Sequence, residues 1–253
     1  MRKMLTEERQ LTILDRLEMN RVVKIQELVK ATHASETTVR RDLQELENQG
    51  LLKRVHGGAI IANNLNTELD LKTKAAMNRQ EKLSVAKHAV KSIQPEEVIY
   101  IDSGTATYEM LPFLKNKNIR IVTNSIAHAH FLNSLSIPTT VLGGRLKLAT
   151  SAIVGQECVA QMKKYHFSKA FIGVNGIHHQ HGLTTPEEEE AFVKTAAIQQ
   201  SAQVFILADH TKFEKVTFVK FAELTDGHLL TDYLPGKYKK LYPKTIVLTE
   251  VCK

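Results

Sequence analysis

The stretch Glu96–Leu111, EEVIYIDSGTATYEML, decides the fold of the larger part of this chain. It begins with an apolar run that is typical of a buried strand and continues with the spacing of a helix. An acidic residue, a serine, a glycine and two threonines lie at the junction, and backbone amides and hydroxyls in such a loop bind phosphate. The stretch therefore predicts a strand, an anion-binding loop and a helix, in either an enzyme that transforms a sugar phosphate or a protein that senses one.

The junction itself offers several phosphate-binding groups. The helix is predicted to begin between Thr105 and Thr107, so that backbone amides of residues 103–106 lie at its positive end. Gly104 permits close approach of a ligand to the backbone, and hydroxyls come from Ser103, Thr105 and Thr107. An ordinary capped helix with a glycine turn is the alternative interpretation.

Similar apolar runs recur after Arg79 and alternate with helical patterns. They are EVIYID (97–102), IRIVTN (119–124), TTVLGG (139–144), KAFIGVNG (169–176), QVFILAD (203–209), HLLTD (228–232) and KTIVLTE (244–250). Strands that alternate with helices predict a parallel α/β sheet, which binds ligands where its strands end. The residues that follow the runs are polar or glycine: Asp102, Asn124, Gly143, Gly144, Asn175 and Asp209.

Length and composition predict two domains in a soluble globular chain. The chain has 253 residues, of which 43% are hydrophobic and 24% charged. We find no apolar run of the roughly 18 residues that a membrane span needs, and we expect a cytoplasmic location without a membrane partner. Cys158 and Cys252 have no metal-binding or redox spacing, so neither a disulfide nor a cofactor is predicted. The net charge of +7 permits an anionic partner without locating it.

The first sixty residues contain three short helical patterns, of which the third, SETTVRRDLQELENQG (35–50), is the most informative. Ser35 can cap this helix, and Gly50 follows it where a left-handed residue is favoured. A rotation of about 100° per residue places Val39, Leu43 and Leu46 on one buried stripe. The opposite face then carries hydrogen-bonding side chains: Thr37, Arg41, Gln44 and Asn48.

A basic hairpin follows the third helix. LLKRVHGGAII (51–61) consists of two apolar runs around Gly57 and Gly58, and it carries Lys53, Arg54 and His56. Three helices followed by a basic hairpin predict a winged helix–turn–helix head. In that arrangement the third helix enters the major groove of DNA and the wing lies along the backbone.

The segment TTVRRDLQELENQGLLKRVHGGA (37–59) resembles the amino-terminal motif of the DeoR family of bacterial sugar-operon regulators. With the helical wheel, the resemblance implies that Thr37, Thr38, Arg41 and Gln44 contact bases of double-stranded operator DNA. It implies phosphate contacts for a further basic set, and Ser35 is placed at the same interface. The basic set is Arg40, Lys53, Arg54 and His56.

The second half resembles the sensor domain of that family, which shares its fold with ribose-5-phosphate isomerase, and the matching loop is implicated in binding a sugar phosphate. The family commonly has two consecutive threonines after the glycine, whereas Ala106 separates Thr105 from Thr107 here. The resemblance implies that Glu187, Asp209 and Lys212 line the same pocket. Arg145 and Lys147 are further phosphate candidates, and the complete predicted effector set is Asp102, Ser103, Gly104, Thr105, Thr107, Asn124, Gly144, Arg145, Lys147, Glu187, Asp209 and Lys212.

An isomerase is the rival class of function, because such an enzyme needs a carboxylate base with a lysine nearby. Two pairs supply these groups: Glu190 with Lys194, and Asp209 with Lys212. The first pair has the spacing and orientation of a surface ion pair on a helix, and we expect no catalysis from either pair. The cluster HHQH (178–181) invites a metal site, but no carboxylate or cysteine lies at a matching spacing, so we predict a solvated loop without a metal.

These inferences combine into one hypothesis. Residues 1–60 are predicted to form the winged helix–turn–helix head, 61–76 a linker, and 77–253 an α/β sensor domain with the isomerase-like fold. The chain is expected to be a homo-oligomeric repressor that a phosphorylated sugar releases from its operator. Within the family the resemblance is nearest to the fructose-operon repressors, which implies fructose 1-phosphate, with tagatose 6-phosphate as the alternative effector.

Overall fold

The computed structural model describes residues 4–20, 22–61, 71–243 and 246–251. The chain divides into two compact units, Met1–Asn78 and Arg79–Lys253. Of the predicted linker, Ile61 ends a strand and Leu71–Ala76 form a helix, whereas residues 62–70 lie outside the described residues. No helix in these described ranges is long and apolar enough to cross a membrane.

The first unit contains three main helices and a small antiparallel sheet. Its elements are α1 (Thr6–Asn20), β1 (Val22–Lys24), α2 (Ile25–Thr32), α3 (Glu36–Asn48), β2 (Leu52–Val55), β3 (Gly58–Ile61) and α4 (Leu71–Ala76). The sheet order is β1-β3-β2, and the predicted hairpin is confirmed, with Val55 opposite Gly58 and Gly57 at φ +83°. The sequence reasoning did not predict β1, because three residues are too short to show an alternating pattern.

The core of this unit follows the predicted helix patterns. Val39, Leu43 and Leu46 of α3 are all at most 2% exposed and pack with Ile13 and Leu28 of the first two helices. The Ser35 hydroxyl accepts a hydrogen bond of 3.2 Å from the backbone amide of Thr38, which confirms the predicted cap. Gly50 has φ +72°, in the left-handed region where glycine is favoured at the end of a helix. The orientation of α3 is therefore fixed by burial on one face and by caps at both ends.

The second unit is built on a seven-stranded sheet. Its helices are α5 (Arg79–Val90), α6 (Thr105–Tyr108), α7 (Ile126–Ser134), α8 (Gln156–Met162) and α9 (Glu188–Gln199), with 3-10 turns at Leu111–Leu114, His210–Lys212 and Gly236–Tyr238. Its strands are β4 (Val98–Ile101), β5 (Arg120–Thr123), β6 (Thr139–Val141), β7 (Arg145–Lys147), β8 (Ala152–Val154), β9 (Phe167–Gly173), β10 (Gly176–His178), β11 (Gly182–Thr185), β12 (Ser201–Ala208), β13 (Val219–Ala222), β14 (His228–Thr231) and β15 (Leu248–Glu250).

All seven predicted strands lie in that sheet. Its order is β15-β14-β12-β9-β4-β5-β6, and every neighbouring pair is parallel. The central strands β4 and β9 are buried on both faces, and Tyr100 and Phe171 are completely buried. Because all strands run in one direction, their carboxyl ends and the polar residues behind them lie at one edge. Two small antiparallel sheets, β7-β8 and β10-β11-β13, accompany the main sheet.

Candidate nucleic-acid interface and candidate effector site

The outer face of α3 carries the predicted base-contacting residues. Thr37 and Arg41 are exposed, and Gln44 is half-buried and donates a hydrogen bond of 3.0 Å to Asn48. Thr38 is also half-buried and lies 2.8 Å from the Ser35 hydroxyl, next to the cap. This face therefore presents donors and acceptors of the kind that read base edges in the major groove.

The predicted phosphate-contacting residues are exposed, and two of them are paired with carboxylates. Arg40 forms an ion pair with Glu36 at 2.6 Å in which both side chains are more than half exposed. Lys53, Arg54 and His56 are exposed on the hairpin. Exposed ion pairs contribute only about 0–1 kcal/mol, so Arg40 can exchange its carboxylate for a phosphate at little cost.

Glu47 fixes the hairpin to α3, a role that the sequence reasoning did not assign. Its carboxylate accepts hydrogen bonds from the Arg54 amide at 2.7 Å and the Arg54 guanidinium at 2.8 Å. These bonds hold the pKa of Glu47 below its ordinary value. These two hydrogen bonds consequently hold the hairpin in a fixed orientation relative to α3.

A buried ion pair fixes α3 from its other side. Asp42 is completely buried and binds the Arg9 guanidinium through both of its oxygens, with 2.9 Å from Nη2 to Oδ1. The sequence pattern of α3 did not predict a buried partner for Asp42. A signal was present, because Asp42 adjoins Leu43 and follows Val39 by three residues, which places it at the margin of the buried stripe.

Asp102 organises the loop between β4 and α6. It is 2% exposed, and its carboxylate accepts hydrogen bonds from the amides of Gly104 at 2.9 Å and Gly173 at 2.8 Å. Lys194 of α9 donates to the same carboxylate at 2.6 Å and to the Gly173 carbonyl at 2.9 Å. Burial alone would raise the pKa of Asp102, but Lys194 and these hydrogen bonds keep it below its ordinary value.

Two glycines explain why this loop packs so closely on β9. A Cβ atom at Gly104 would lie 3.0 Å from Asp102 Oδ1 and 3.4 Å from the Gly173 Cα atom. Gly104 has a φ of −71°, so it is needed here for space rather than for a left-handed backbone. Ser103 and Thr105 are half-buried beside it.

Thr107 lies behind the loop. It is completely buried, and its hydroxyl lies 2.8 Å from Asp102 Oδ1 and 3.3 Å from Nε2 of His128. On the other side of the imidazole, Nδ1 of His128 lies 2.7 Å from the Ser125 hydroxyl. The structure thus gives Thr107 a supporting position for Asp102 rather than the ligand-facing one predicted, because the four-residue helix α6 turns it inward. Ala106 is also buried, at 8% exposure.

His128 is expected to make the stability of the second unit dependent on pH. Burial lowers its pKa from 6.5 to about 4, although the nearby Asp102 opposes the shift. Between these values the unfolded chain binds more protons at this site than the folded chain, so stability falls as the pH falls from 6.5. We expect His128 to contribute about 2 kcal/mol to the loss of unfolding free energy between pH 7 and pH 5.

Urea unfolding of the His128→Gln variant at the two pH values measures this contribution. The exposed His130 lies on the same helix, and His130→Gln is therefore the matched control. We expect the pH dependence to weaken only in His128→Gln. An equal pH dependence in both variants would contradict the assignment of a buried, neutral imidazole.

Glu190 and Lys194 of α9 do not form the surface ion pair that their spacing predicted. Both residues are 8% exposed, and each binds a different partner. Lys194 binds Asp102. Glu190 accepts hydrogen bonds of 2.9 Å from the Lys147 ammonium and 3.1 Å from the Thr150 hydroxyl. The buried alanines Ala191 and Ala197 lie on the same arc of the helix, so the sequence carried a signal that this face is internal.

Three of the predicted effector residues meet at the start of α9. Lys147 on β7 is 9% exposed and forms ion pairs with Glu187 at 2.5 Å and with Glu190. Arg145, on the same strand, is exposed and pairs with Glu189. Gly144 precedes β7 at φ +144°, and a Cβ atom there would lie 2.7 Å from the Val154 carbonyl oxygen.

Asn124, Asp209 and Lys212 follow strands at the same edge of the sheet. Asn124 is buried and accepts a hydrogen bond of 2.8 Å from the Tyr100 hydroxyl. Its amide donates a hydrogen bond of 2.9 Å to the Ile153 carbonyl, so Asn124 joins β5 to β8. Asp209 is 1% exposed and accepts a hydrogen bond of 3.0 Å from the Thr211 amide. Lys212 is half-buried with its ammonium 3.9 Å from Asp209. Burial alone would raise the pKa of Asp209, but the positive charge of Lys212 helps to keep it below its ordinary value.

The sequence reasoning also missed a buried pair beside Asp209. His210 Nδ1 lies 2.6 Å from Asp232, and the Asp232 carboxylate also accepts 2.7 Å from the His210 amide. Asp232 ends the apolar run HLLTD. The sequence reasoning placed polar residues that follow such runs at the ligand-binding edge of the sheet, and the same reasoning could have identified Asp232.

The comparisons with known proteins agree with both units. Residues 9–64 match the family model of the DeoR-like helix–turn–helix domain, and residues 77–233 match that of the DeoR C-terminal sensor domain. A Bacillus subtilis (strain 168) protein named as an uncharacterized HTH-type transcriptional regulator FruR is 42% identical over 229 residues, covering 90% of this chain and 91% of that one. The lactose phosphotransferase system repressor of Lactococcus lactis subsp. lactis is 33% identical over 80% of this chain and 81% of that one.

Among solved structures, ribose 5-phosphate isomerase A from Neisseria gonorrhoeae is similar with a TM-score of 0.40 and 18% identity, over 55% of this chain and 54% of that one. A similarity this low carries no argument about activity. The observed architecture and the two family models nevertheless confirm a winged helix–turn–helix head followed by an α/β sensor domain. The chain belongs to the DeoR family of helix–turn–helix transcriptional regulators.

Proposed function

We propose that this protein is a transcriptional repressor of a sugar-utilisation operon and that a phosphorylated sugar releases it from its operator. The observation that carries the proposal is the combination in one chain of two features. One is a capped helix with an exposed polar face beside a basic hairpin, and the other is an α/β unit with cations and buried carboxylates at the ligand-binding edge of its sheet. The names of the relatives, a regulator and a lactose phosphotransferase system repressor, support the same class of function.

In the proposed head, base edges are contacted by Thr37, Thr38, Arg41 and Gln44. Ser35 caps α3 and positions its first turn at the same interface. Arg40 and the hairpin residues Lys53, Arg54 and His56 contact phosphates. For the effector to release the protein from DNA, it must bind the DNA-competent and DNA-incompetent arrangements with different affinities. Equal affinity would leave the equilibrium between the two arrangements unchanged. A homo-oligomer that presents two heads to a symmetric operator is the expected form.

In the proposed effector site, Ser103, Gly104 and Thr105 offer hydroxyls and backbone to the ligand, and Lys212 and Lys147 offer positive charge. Asp102, Asn124 and Thr107 hold this frame in place because they are buried and hydrogen-bonded. The remaining members of the set contact sugar hydroxyls or the phosphate; these are Gly144, Arg145, Glu187 and Asp209. Fructose 1-phosphate is the proposed effector, with tagatose 6-phosphate as the alternative.

A thermal-shift screen of phosphorylated sugars tests the effector. A ligand that binds only the folded state stabilises it by about 2.7 kcal/mol at a hundredfold excess over its dissociation constant. We expect fructose 1-phosphate to raise the melting temperature of the wild type and to lose most of this effect in Lys212→Ala. Lys163→Ala removes an exposed lysine from the end of α8 and is the matched control. A shift with tagatose 6-phosphate alone would favour the alternative.

Operator binding and product formation distinguish a regulator from an isomerase. The sugar that raises the melting temperature is added to the protein–operator complex, and release is followed by fluorescence anisotropy while the sugar is analysed for conversion. We expect release without turnover. Sustained conversion with no effect on DNA binding would refute the proposal.

A further inference from the structure

Two histidines and a carboxylate meet at the turn between β10 and β11. His178 Nε2 lies 3.7 Å from Glu214 Oε2, and His179 Nδ1 lies 3.0 Å from the same oxygen. One ligand atom from each of the three residues lies within 4.8 Å of the others, and all three residues are half-buried. The prediction of a solvated HHQH loop considered only carboxylates that are close along the chain. It missed Glu214 because this residue lies 35 residues beyond His179.

The fold brings Glu214 to the histidines. Ile177 forms a parallel bridge with Phe213, so the residues that follow them, His178 and Glu214, become neighbours. Phe213 is 3% exposed and anchors the segment in the core, with its ring edge-on to Tyr242 at 5.4 Å between centroids. Buried packing of Phe213 thus fixes the backbone that carries the carboxylate.

Tyr242 orients the carboxylate. Its hydroxyl donates a hydrogen bond of 2.7 Å to Glu214 Oε1. Oε2 faces both imidazoles, and His179 Nδ1 also lies 3.1 Å from Oε1. A hydrogen-bonded partner behind a ligating carboxylate is a recurrent feature of metal sites in proteins.

We propose that His178 Nε2, His179 Nδ1 and Glu214 Oε2 form a site for a divalent transition-metal ion, with Zn²⁺ as the representative. Two imidazoles and one carboxylate are a common zinc-binding set, whereas Mg²⁺ and Ca²⁺ select oxygen ligands. With metal–ligand bonds of about 2.0–2.1 Å, ligand atoms of a tetrahedral site lie roughly 3.3 Å apart. The observed separations of 3.0 and 3.7 Å bracket that value. His181, whose ring centroid is 4.7 Å from that of His178, can supply a fourth ligand by rotating its side chain.

Metal binding requires a change of tautomer at His178 that gives the site a measurable signature. The Gln180 amide donates 3.1 Å to Nδ1 of His178, so the ring proton of the neutral imidazole lies on Nε2. When a metal takes Nε2, that single proton moves to Nδ1, so the imidazole stays neutral and its Nδ1 can no longer accept the Gln180 hydrogen bond. Gln180 is exposed in the turn, so its amide can reorient.

The proposed site would connect the β10–β11 turn to the segment after Lys212. A bound ion would therefore stabilise the second unit by mass action, since it binds the folded state preferentially. This inference does not depend on the identity of the sugar effector.

Titration of the full chain, without a histidine tag, with Zn²⁺ alone tests the proposal. We expect one ion per chain by calorimetry and a higher melting temperature. His179→Gln and Glu214→Gln should each weaken binding by about tenfold or more, whereas His166→Gln, which removes an exposed histidine elsewhere, should leave it unchanged. Tyr242→Phe keeps the ring packing and should weaken binding by roughly 10–100-fold.

Amide NMR separates this site from unspecific binding. Stoichiometric Zn²⁺ should shift the Gln180 amide resonance in the wild type but not in Glu214→Gln. The proposal is overturned if a large excess of Zn²⁺ produces neither heat nor a thermal shift, or if affinity is the same in the ligand variants and in His166→Gln. Should Glu214→Gln fail to fold, His179→Gln, with a side chain 24% exposed in the wild type, carries the same comparison.

Discussion

The Arg41→Ala variant is expected to lose selective operator binding while its effector affinity stays unchanged. Arg41 is exposed on the outer face of α3, and a bidentate arginine–guanine contact contributes roughly 1–3 kcal/mol of discrimination. The side chain makes no contribution to the buried stripe of α3, so its removal should leave the head folded. Fluorescence anisotropy with the operator and with a scrambled duplex measures the affinity and the selectivity separately.

Arg16→Ala is the matched control for that experiment. It removes the same charge from the exposed side of α1, which the proposed interface does not include. A loss of affinity that is equal in both variants would show that bulk charge, rather than base contact, carries the effect. Unchanged operator affinity in Arg41→Ala would refute the assignment of α3 as the recognition helix.

The Lys194→Met variant is expected to lose about 3–5 kcal/mol of unfolding free energy, because it leaves the buried carboxylate of Asp102 without its cation. Asp102 is 2% exposed, so water cannot replace the missing ammonium. Urea unfolding measures the loss, and Lys163→Met, at an exposed lysine, controls for the substitution itself. The variant should also lose most of the thermal shift caused by the effector, since Asp102 holds the loop at Ser103 and Gly104.

The dependence on pH gives this prediction a sharper form. Without Lys194, burial raises the pKa of Asp102, and protonation of the carboxyl at lower pH relieves the cost of the buried charge. The difference in stability between Lys194→Met and the wild type should therefore shrink from pH 7 to pH 5. Adding Asp102→Asn to Lys194→Met should recover part of the stability at pH 7. A loss that is constant with pH and unaffected by the second substitution would contradict the ion-pair account.

The sheet was predictable because its strands are buried on both faces. Buried parallel strands are apolar along most of their length, so runs such as Val98–Ile101 and Ala170–Ile172 stand out from the helices between them. The polar residue after each run then marks the carboxyl end. Strands without this constraint, such as the three-residue β1, leave no comparable pattern.

The partners of charged side chains were less predictable. The spacing of Glu190 and Lys194 suits a surface ion pair, but the tertiary structure buries this face of α9 and gives Lys194 to Asp102, 92 residues away along the chain. Buried charges must be paired, yet helical spacing identifies only the nearest candidate. Arg9 with Asp42 repeats the lesson in the head, at a separation of 33 residues.

The sequence by itself determined the DNA-binding head, the parallel sheet and the loop DSGTAT at the end of β4, since periodicity, caps and glycines act within a few residues. Only the tertiary structure decided which charges meet: Lys194 with Asp102, Lys147 with Glu190, and Glu214 with His178 and His179. The reason is physical. Local patterns follow from backbone geometry and burial, whereas ion pairs and metal ligands depend on distances in space that chain folding sets across dozens of residues.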